Sequence, residues 1–259
     1  MIKTEHDASF FCWNLKEAFT AAQNKRAYNI SSLGKVDGCD IYFCAPEKID
    51  PDKKNLLVCG GFHGDEPAGC WSIIRFLETA TAEELNGANI FFLPLVNPTG
   101  LMAGTRENNL GEDPNQGFCG NDGKKPSREG KILINHLGKL VQAARDGAIS
   151  MHEDIEFQQT YVWTYEPTQK PGAFTRGLLA ALAQYFPIFK GGMEHRGAVI
   201  EFTEGIGFNV ADNSFENLLV ENGVTHVATS ETPAHESVPL ARRIAAGRDT
   251  IAAFIKLRK

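Results

Sequence analysis

Short hydrophobic runs alternate with amphipathic segments along most of the chain. Apolar runs bounded by glycine or proline predict strands, and apolar residues recurring every three or four positions predict helices. The predicted strands are CDIYFCA, KNLLVCGG, ANIFFLPLVNPTG, GAISMHED, GAVIEFTEG and VTHVATSE. The predicted helices are LKEAFTAAQ, a segment starting at Pro67, residues 126–145, AFTRGLLAALAQYF, and a last helix with start signals at Ser237 and Pro239. A turn is predicted at Asn97 to Gly100.

The order of these elements predicts the fold class. Strands that alternate with helices indicate an α/β protein, a single domain with a twisted mixed, largely parallel sheet covered by helices on both faces. We expect residues 1–259 to form this one domain, with residues 1–50 as a helix and strand extension packed on it. Ligands bind at the carboxyl ends of strands in such sheets. His63, His152 and Glu231 each follow a predicted strand, so we expect them to converge at one edge.

Composition narrows the classes of partner and compartment. The hydrophobic fraction of 42% supports a sizeable core, and a net charge of −6 without a basic block argues against nucleic-acid or anionic-membrane partners. No run approaches the roughly 20 apolar residues that span a bilayer, and the first residues do not read as a signal peptide. The six cysteines form no CxxC pair, which predicts reduced thiols in the cytoplasm. Cys59 and Cys70 are expected to be small buried side chains.

The stretch CGGFHGDEPAG, which begins at Cys59, places His63 and Glu66 three residues apart after an apolar run. Two histidines and one carboxylate are a common ligand set for catalytic zinc. A lone HxxE is more often an acidic turn, because short motifs have a high false-positive rate. His152, in SMHED, is either a third ligand or an exposed histidine at a strand end. The residues alone leave both interpretations open.

Several motifs in order give the chain a specific resemblance. Residues 55 to 233 resemble the zinc carboxypeptidase family, the carboxypeptidase A-like metallopeptidases. The murein peptide amidase branch is the nearest, and succinylglutamate desuccinylases and aspartoacylases are more distant. The family's HGxE turn and S-x-H strand end match HGDE and SMH here. Between them, GTRENNLGEDPNQ resembles the GTRxNxxGxDxNR of the branch.

The resemblance implies a zinc carboxypeptidase-like fold and one zinc ion per chain, with His63, Glu66 and His152 as the metal ligands. It also implies that Arg106 stabilises the oxyanion, as a cation beside the developing oxygen charge of a tetrahedral intermediate would. Asp113 matches the acid that holds the first zinc histidine through its other ring nitrogen, which fixes the tautomer.

The general base of the family lies at a strand end shortly before the C-terminal helix. Of the three candidates considered late in the chain, Glu201, Glu204 and Glu231, only Glu231 has that position, so the resemblance implies that Glu231 is the base. Glu201 and Glu204 are three residues apart and cannot both face inward from a regular strand. Tyr161 and Tyr165 are further candidates for residues of the cleft.

One position departs from the family pattern. Asn115 matches a substrate-binding asparagine, but the arginine that usually follows it and clamps a substrate carboxylate is Gln116 here. Glutamine is neutral and cannot replace a bidentate guanidinium. The departure predicts a different terminal group on the substrate, or another cation such as Arg196 or Lys190.

Three functions follow from the resemblance. The first is a zinc-dependent metallopeptidase or amidohydrolase that cleaves a peptide-like amide, on murein-type or other short peptides, with metal-activated water and a glutamate base. The second is an N-acyl amino acid deacylase of the desuccinylase or aspartoacylase type. The third is a zinc-binding relative without catalysis. The expected partner is a small peptide or acyl amino acid, with no nucleic acid and no membrane.

Overall fold

The computed structural model describes residues 6–120, 123–195, 198–202 and 204–259. Its strands are β1 Tyr28–Val36, β2 Cys39–Pro46, β3 Asn55–Gly60, β4 Asn89–Leu93, β5 Gly147–Asp154, β6 Tyr161–Tyr165, β7 Gly191–His195, β8 Ala198–Phe202, β9 Ile206–Phe208 and β10 Val227–Pro233. Its helices are α1 Ala8–Ala22, α2 Pro67–Thr79, α3 Ala82–Asn86, α4 Pro98–Ala103, α5 Arg128–Asn135, α6 Leu137–Ala143, α7 Ala173–Leu182, α8 Phe215–Glu221 and α9 Leu240–Arg258.

Most of these strands form one mixed sheet. Across the described ranges it has eight strands, in the order β1-β2-β4-β3-β5-β10-β6-β9. The central strands β4, β3, β5 and β10 are parallel to one another, and β6 is parallel to β9. The pairs β1–β2, β2–β4 and β10–β6 are antiparallel. The predicted mixed, largely parallel sheet is therefore confirmed.

Helices cover both faces of this sheet. Alternate residues of β3 point to opposite sides, because side chains of a strand alternate. Leu56 and Val58 pack into a core layer with residues of α1, α2, α7 and α9. Leu57 and Cys59 pack into a second layer with residues of α5, α6 and α8. Burial on both faces explains why β3 reads as a continuous apolar run rather than an alternating one.

Two local predictions are wrong for identifiable reasons. The turn predicted at Asn97 to Gly100 is the start of α4, where the Asn97 side chain accepts a hydrogen bond from Gly100 N at 2.8 Å and Pro98 occupies the first turn. This is an N-cap followed by a proline that is preorganised for a helix. The single helix predicted over residues 126–145 is divided at His136 into α5 and α6.

The last helix begins at Leu240, with Pro239 at its N-cap position and no side-chain cap. Ser237, predicted as a start signal, instead contacts His235 Nδ1 at 2.7 Å. Among the helices in the described ranges, none is both long enough and apolar enough to cross a bilayer.

Candidate metal centre and substrate cavity

The candidate site lies at the carboxyl ends of the adjacent strands β3 and β5. After β3 the chain continues to β4, which lies on one side of β3 in the sheet, whereas β5 lies on the other side of β3. Such a reversal of strand order opens a crevice at the strand ends. His63 follows β3 in the turn to α2, while His152 and Glu231 lie within the last residues of β5 and β10, rather than past the strand ends as expected.

Two glycines allow this turn to form. A Cβ on Gly64 would lie 1.9 Å from the carbonyl carbon of Gly100, and a Cβ on Gly69 would lie 2.2 Å from the carbonyl oxygen of Met151. Only glycine permits such a close backbone approach. The contact of Gly69 brings the start of α2 against β5, so Glu66 at the N-cap of α2 reaches His152.

The carboxylate of Glu66 lies between two imidazoles. His63 Nδ1 is 2.6 Å from Glu66 Oε1, and His152 Nδ1 is 2.8 Å from Glu66 Oε2. One ligand atom from each of the three residues lies within 4.8 Å of the others, and each residue is at most 4% exposed. Two imidazole nitrogens and one carboxylate oxygen match the donor set of catalytic zinc. The donor set therefore fits a zinc ion.

The contacts around these three residues fix their orientation. His63 Nε2 lies 3.2 Å from Asp113 Oδ1, which leaves Nδ1 facing Glu66. The Phe62 ring stacks on the His152 ring, with centroids 5.7 Å apart and an interplanar angle of 16°. A histidine whose second nitrogen is held by a carboxylate has a fixed tautomer and a more basic ligand nitrogen.

Charge at the centre is distributed as a cation site requires. Burial opposes ionisation of Glu66, but the two imidazoles hold its pKa well below the usual value. Burial alone would lower the pKa of His63, but the carboxylates of Glu66 and Asp113 outweigh burial and raise this pKa to about 9. Burial would raise the pKa of Asp113, yet His63 and Arg106 keep it well below the usual range. The carboxylates are therefore anionic near neutral pH.

Arg106 lies at the edge of this group. Its Nη1 is 3.4 Å from Glu66 Oε1, and its Nη2 is 3.4 Å from Asp113 Oδ2. The side chain is 47% exposed, so the guanidinium faces the cavity while two carboxylates hold it. A held but accessible cation can stabilise an oxygen charge on a bound molecule.

Glu231 lies beside His152 on the neighbouring strand. The two residues are partners in the parallel β5–β10 ladder, and Tyr161 is the partner of Glu231 in β6. Glu231 is partly exposed and lines the same cavity as Arg106. Desolvation, together with the carboxylates of Glu66 and Asp154, raises the pKa of Glu231 well above the usual value. A raised pKa suits a carboxylate that exchanges protons near neutral pH.

The cavity that contains these groups has a volume of about 400 Å³. Besides Glu66 and Glu231 it is lined by further acidic residues, namely Asp65, Glu153, Asp154, Glu156, Asp212 and Glu216. Arg106 is the only lysine or arginine in the part of its lining that the structure describes. The described lining is therefore rich in carboxyl groups.

Glu153 is a residue of the site that sequence reasoning missed. Its Oε2 accepts a hydrogen bond from Ala68 N at 2.6 Å, and its Oε1 pairs with Arg243 Nη1 at 2.5 Å. Its own N–H donates to Glu66 Oε2 at 3.1 Å. Burial raises the pKa of Glu153 to about 7. Because its partners come from α2 and α9, its adjacency to His152 was the only sequence signal.

Asn115, Gln116, Asp212 and Glu216 form another part of the cavity lining, here called the Glu216 wall. Asn115 Oδ1 accepts a hydrogen bond from Phe215 N at 2.9 Å, and Asn115 Nδ2 donates to Glu216 Oε2 at 3.0 Å. The same Nδ2 lies 3.4 Å from His152 Nε2. Gln116 Oε1 lies 3.5 Å from Lys124 Nζ. Both residues predicted to bind substrate therefore line the cavity.

The remaining candidates from the sequence lie elsewhere or outside the described residues. Lys190 lines a separate groove with Arg176, so it does not replace the missing arginine. Arg196 and the side chain of Glu201 are outside the described residues. Glu204 pairs with Arg176 at 3.0 Å and is 65% exposed, so it faces solvent.

The two tyrosines predicted as candidates for the cleft lie in different pockets. Tyr161 lines the cavity, and its hydroxyl donates to Asp154 Oδ2 at 2.5 Å. Tyr165 lines a different pocket and donates to the carbonyl of Val210.

Comparisons with known proteins agree with this geometry. The family model for the succinylglutamate desuccinylase/aspartoacylase catalytic domain matches residues 52–172. A presumed metallopeptidase from Shewanella denitrificans is 37% identical, with a TM-score of 0.89 over 98% of this chain and 91% of its own. Another presumed metallopeptidase, from Shewanella amazonensis, is 36% identical, with a TM-score of 0.89 over 98% of this chain and 94% of its own.

A more distant structure shares the fold. The murein-tripeptide amidase of Escherichia coli O157 is 15% identical, with a TM-score of 0.58 over 88% of this chain and 92% of its own. The comparison with curated proteins finds no match. With its HGDE and SMH motifs assembled at one strand edge, and relatives above one-third identity along nearly its whole length, the chain belongs to the same family as these presumed metallopeptidases.

Proposed function

We propose that the chain is a zinc-dependent hydrolase that cleaves a peptide-like amide bond, with residues 1–259 acting as one catalytic domain. A single observation carries the proposal. Glu66 lies between the Nδ1 atoms of His63 and His152, and Glu231 and Arg106 line the same cavity. A ligand set, a carboxylate base and a cation beside one cavity are the groups that metal-assisted hydrolysis requires.

His63, Glu66 and His152 would hold one zinc ion per chain, with His63 and His152 binding through Nδ1. When bound, zinc supplies a Lewis acid that polarises a carbonyl and lowers the pKa of water to about 7. The low pKa of Glu66 supports this assignment, because a metal ligand must be deprotonated.

Glu231 takes the proton of the attacking water and gives it to the leaving amine. Its pKa is raised above that of a free carboxyl group, which makes it a stronger base. Arg106 faces the oxygen on which negative charge develops in the tetrahedral intermediate, and stabilises that charge. Asp113 keeps His63 in the tautomer that leaves Nδ1 for the metal.

Short peptides, including murein-type peptides, are the first substrate class of the proposal. Deacylation of N-acyl amino acids is the second candidate, and the match of residues 52–172 to the desuccinylase/aspartoacylase model favours it. Both reactions hydrolyse an amide and use the same residues. We also propose a cytoplasmic location, because the six cysteines include no CxxC pair, which suits a reducing compartment.

The test is hydrolysis by zinc-loaded protein of γ-glutamyl peptides, ordinary peptides and N-acyl amino acids. Glu231→Gln should keep its zinc and lose about two to four orders of magnitude in kcat, the usual contribution of a general base. Glu204→Gln is the matched control, since this exposed carboxylate lies outside the cavity. Wild-type turnover by Glu231→Gln contradicts the assignment of the base. Bound zinc without hydrolysis of any substrate would favour a non-catalytic binder.

A further inference from the structure

We propose that Glu153 and Arg243 are a positioning pair for Glu66, so that the C-terminal helix α9 contributes to the zinc affinity although it supplies no ligand. The inference rests on the proposed function, because that function makes Glu66 a zinc ligand. Neither residue of the pair is assigned a contact with the metal or the substrate. Their role is to hold the helix start and the carboxylate of Glu66 where the two histidines can bind the same ion.

The helix α2 begins with a metal ligand where helices commonly have a capping residue. Glu66 occupies the N-cap position, but its side chain makes no capping hydrogen bond, because its two oxygens face His63 and His152. Pro67 follows and has no N–H to donate. The first N–H of α2 is therefore that of Ala68, which has no partner within the helix. Such a helix start needs an acceptor from another element.

Glu153 supplies that acceptor from β5. Its Oε2 accepts a hydrogen bond from Ala68 N at 2.6 Å, and its own N–H donates to Glu66 Oε2 at 3.1 Å. The second contact fixes the ligand oxygen that also faces His152 Nδ1 at 2.8 Å. Glu153 therefore holds both the helix start and the carboxylate of Glu66. Of the two contacts only the first is made by the side chain, so a substitution can change the cap alone.

Arg243 holds the side chain of Glu153 in turn. Its Nη1 is 2.5 Å from Glu153 Oε1, and the side chains of Arg243 and Glu153 are 13% and 0% exposed. A buried carboxylate without a cation is unfavourable, so removing the arginine would leave Glu153 with an uncompensated charge. Because the pair is shielded from solvent, salt screens it little. The acceptor of the Ala68 N–H is therefore held in place by a cation from α9.

The position of α9 is itself fixed against the start of α2. A Cβ on Gly247 would lie 2.7 Å from Ser72 Cβ, so glycine allows the two helices to approach closely. The Ser72 hydroxyl donates to the carbonyl of Ala68 at 2.6 Å. Arg243 lies one helical turn before Gly247 and is not among the described residues that line the cavity. A change at Arg243 would thus reach the metal through Glu153.

Zinc affinity, measured by competition with a chelator, tests the pair without any substrate. Arg243→Met should weaken zinc binding by about 10- to 100-fold, the usual effect of losing a residue that orients a metal ligand. Arg243→Lys keeps the charge and should recover part of this loss. Arg248→Met is the matched control, because Arg248 lies on the same helix, is 19% exposed and pairs with Glu84 of α3 at 3.1 Å. It should leave the zinc affinity at the wild-type value.

A double variant tests whether Arg243 acts through Glu153. Glu153→Gln keeps an acceptor for the Ala68 N–H but removes the charge that Arg243 compensates. In this background Arg243→Met should have little further effect on zinc affinity, because residues that act as one unit are not additive. Removing both partners also leaves no unpaired buried charge, so this comparison remains measurable even if Arg243→Met alone fails to fold. A full further loss of zinc affinity in the double variant would overturn the proposal.

Urea unfolding of the metal-free variants separates positioning from stability. Arg243→Met and Arg248→Met each lose an ion pair of α9, so both are expected to unfold at a lower urea concentration than the wild type. Only Arg243→Met should also bind zinc more weakly, under conditions in which both variants are folded. Equal zinc affinity in these two variants would overturn the proposal, because the Glu153–Arg243 pair would then be only structural.

Turnover of the same samples keeps this proposal separate from the proposed function. If Arg243→Met binds zinc more weakly than Arg248→Met but the wild type cleaves no amide, the hydrolase proposal fails and the positioning pair stands. If the wild type cleaves amides but Arg243→Met keeps the wild-type zinc affinity, the positioning pair fails and the hydrolase proposal stands.

Discussion

The carboxylates in two parts of one cavity differ in how completely they are hydrogen-bonded. On the metal side, which consists of His63, Glu66, Arg106, Asp113 and His152, both oxygens of Glu66 and of Asp113 have partners between 2.6 and 3.4 Å away. On the Glu216 wall, Glu216 keeps one buried oxygen without a partner. The carboxylates of the metal side are thus paired through both oxygens, whereas one oxygen of Glu216 has no hydrogen-bond partner among the described residues.

From this difference we propose that the metal centre and the Glu216 wall have separate roles. Hydrolysis needs a few groups held in fixed positions, and the backbone contacts at Gly64 and Gly69 hold them. Variants on the metal side should therefore affect zinc and kcat, and variants on the wall should affect selectivity.

The largest effect is expected from removing a metal ligand. His152→Ala takes away one of the three donors, so the protein should lose its zinc on dialysis and hydrolyse amides no faster than buffer. Metal analysis and turnover, measured on the same sample, check this. A variant that kept one zinc per chain and wild-type turnover would place the metal elsewhere.

Arg106→Met is expected to lower kcat by about two to three orders of magnitude, the cost of removing one group that stabilises the oxyanion. The side chain is 47% exposed, so the fold should tolerate the change. Zinc content should remain at the wild-type level. Steady-state kinetics with a neutral substrate provide the measurement, and an unchanged kcat would show that the cation does not contact the reacting oxygen.

Asp113→Asn should weaken zinc binding by about 10- to 100-fold, since the carboxylate holds His63 at 3.2 Å from the side opposite the metal. Competition with a chelator measures the affinity. Asp212→Asn on the Glu216 wall is the matched change, and it should leave zinc affinity unchanged. Equal losses in both variants would remove the distinction between the two regions.

A further effect is a pH dependence of metal binding. In the metal-free protein Glu66 and Asp113 outweigh burial and raise the pKa of His63 to about 9. Below that pH zinc must displace a proton, so the apparent affinity should rise by up to about tenfold per pH unit between about pH 7 and pH 9, then level off. Calorimetry in buffers of different ionisation enthalpy measures the number of protons released when zinc binds. If no proton were released at about pH 7.5, the assignment of His63 would be contradicted.

The metal side could be predicted from sequence because its signals are local or belong to the family motifs. β3 is a continuous apolar run that ends in glycines, and His63 and Glu66 follow within one turn. β5 coincides with the predicted GAISMHED. β10 similarly matches its predicted segment, so the carboxyl ends of three adjacent strands were predicted to meet.

The Glu216 wall could not be predicted in the same way. Glu216 lies in the short helix α8, which no pattern predicted, and its contact with Asn115 joins residues 101 positions apart. β6, which carries Tyr161 beside Glu231, is only five residues long. The strand β6 lies between β10 and β9 in the sheet, and these two neighbours cover its edges. Long-range pairs and short elements are fixed by tertiary packing, and local periodicity does not encode them.

Anomalous scattering from zinc-loaded crystals, collected at the zinc absorption edge, tests the metal centre most directly. The structure predicts one peak at about 2.0–2.2 Å from His63 Nδ1, His152 Nδ1 and a carboxylate oxygen of Glu66. A peak at any other group of side chains, or coordination through the Nε2 atoms, would contradict it.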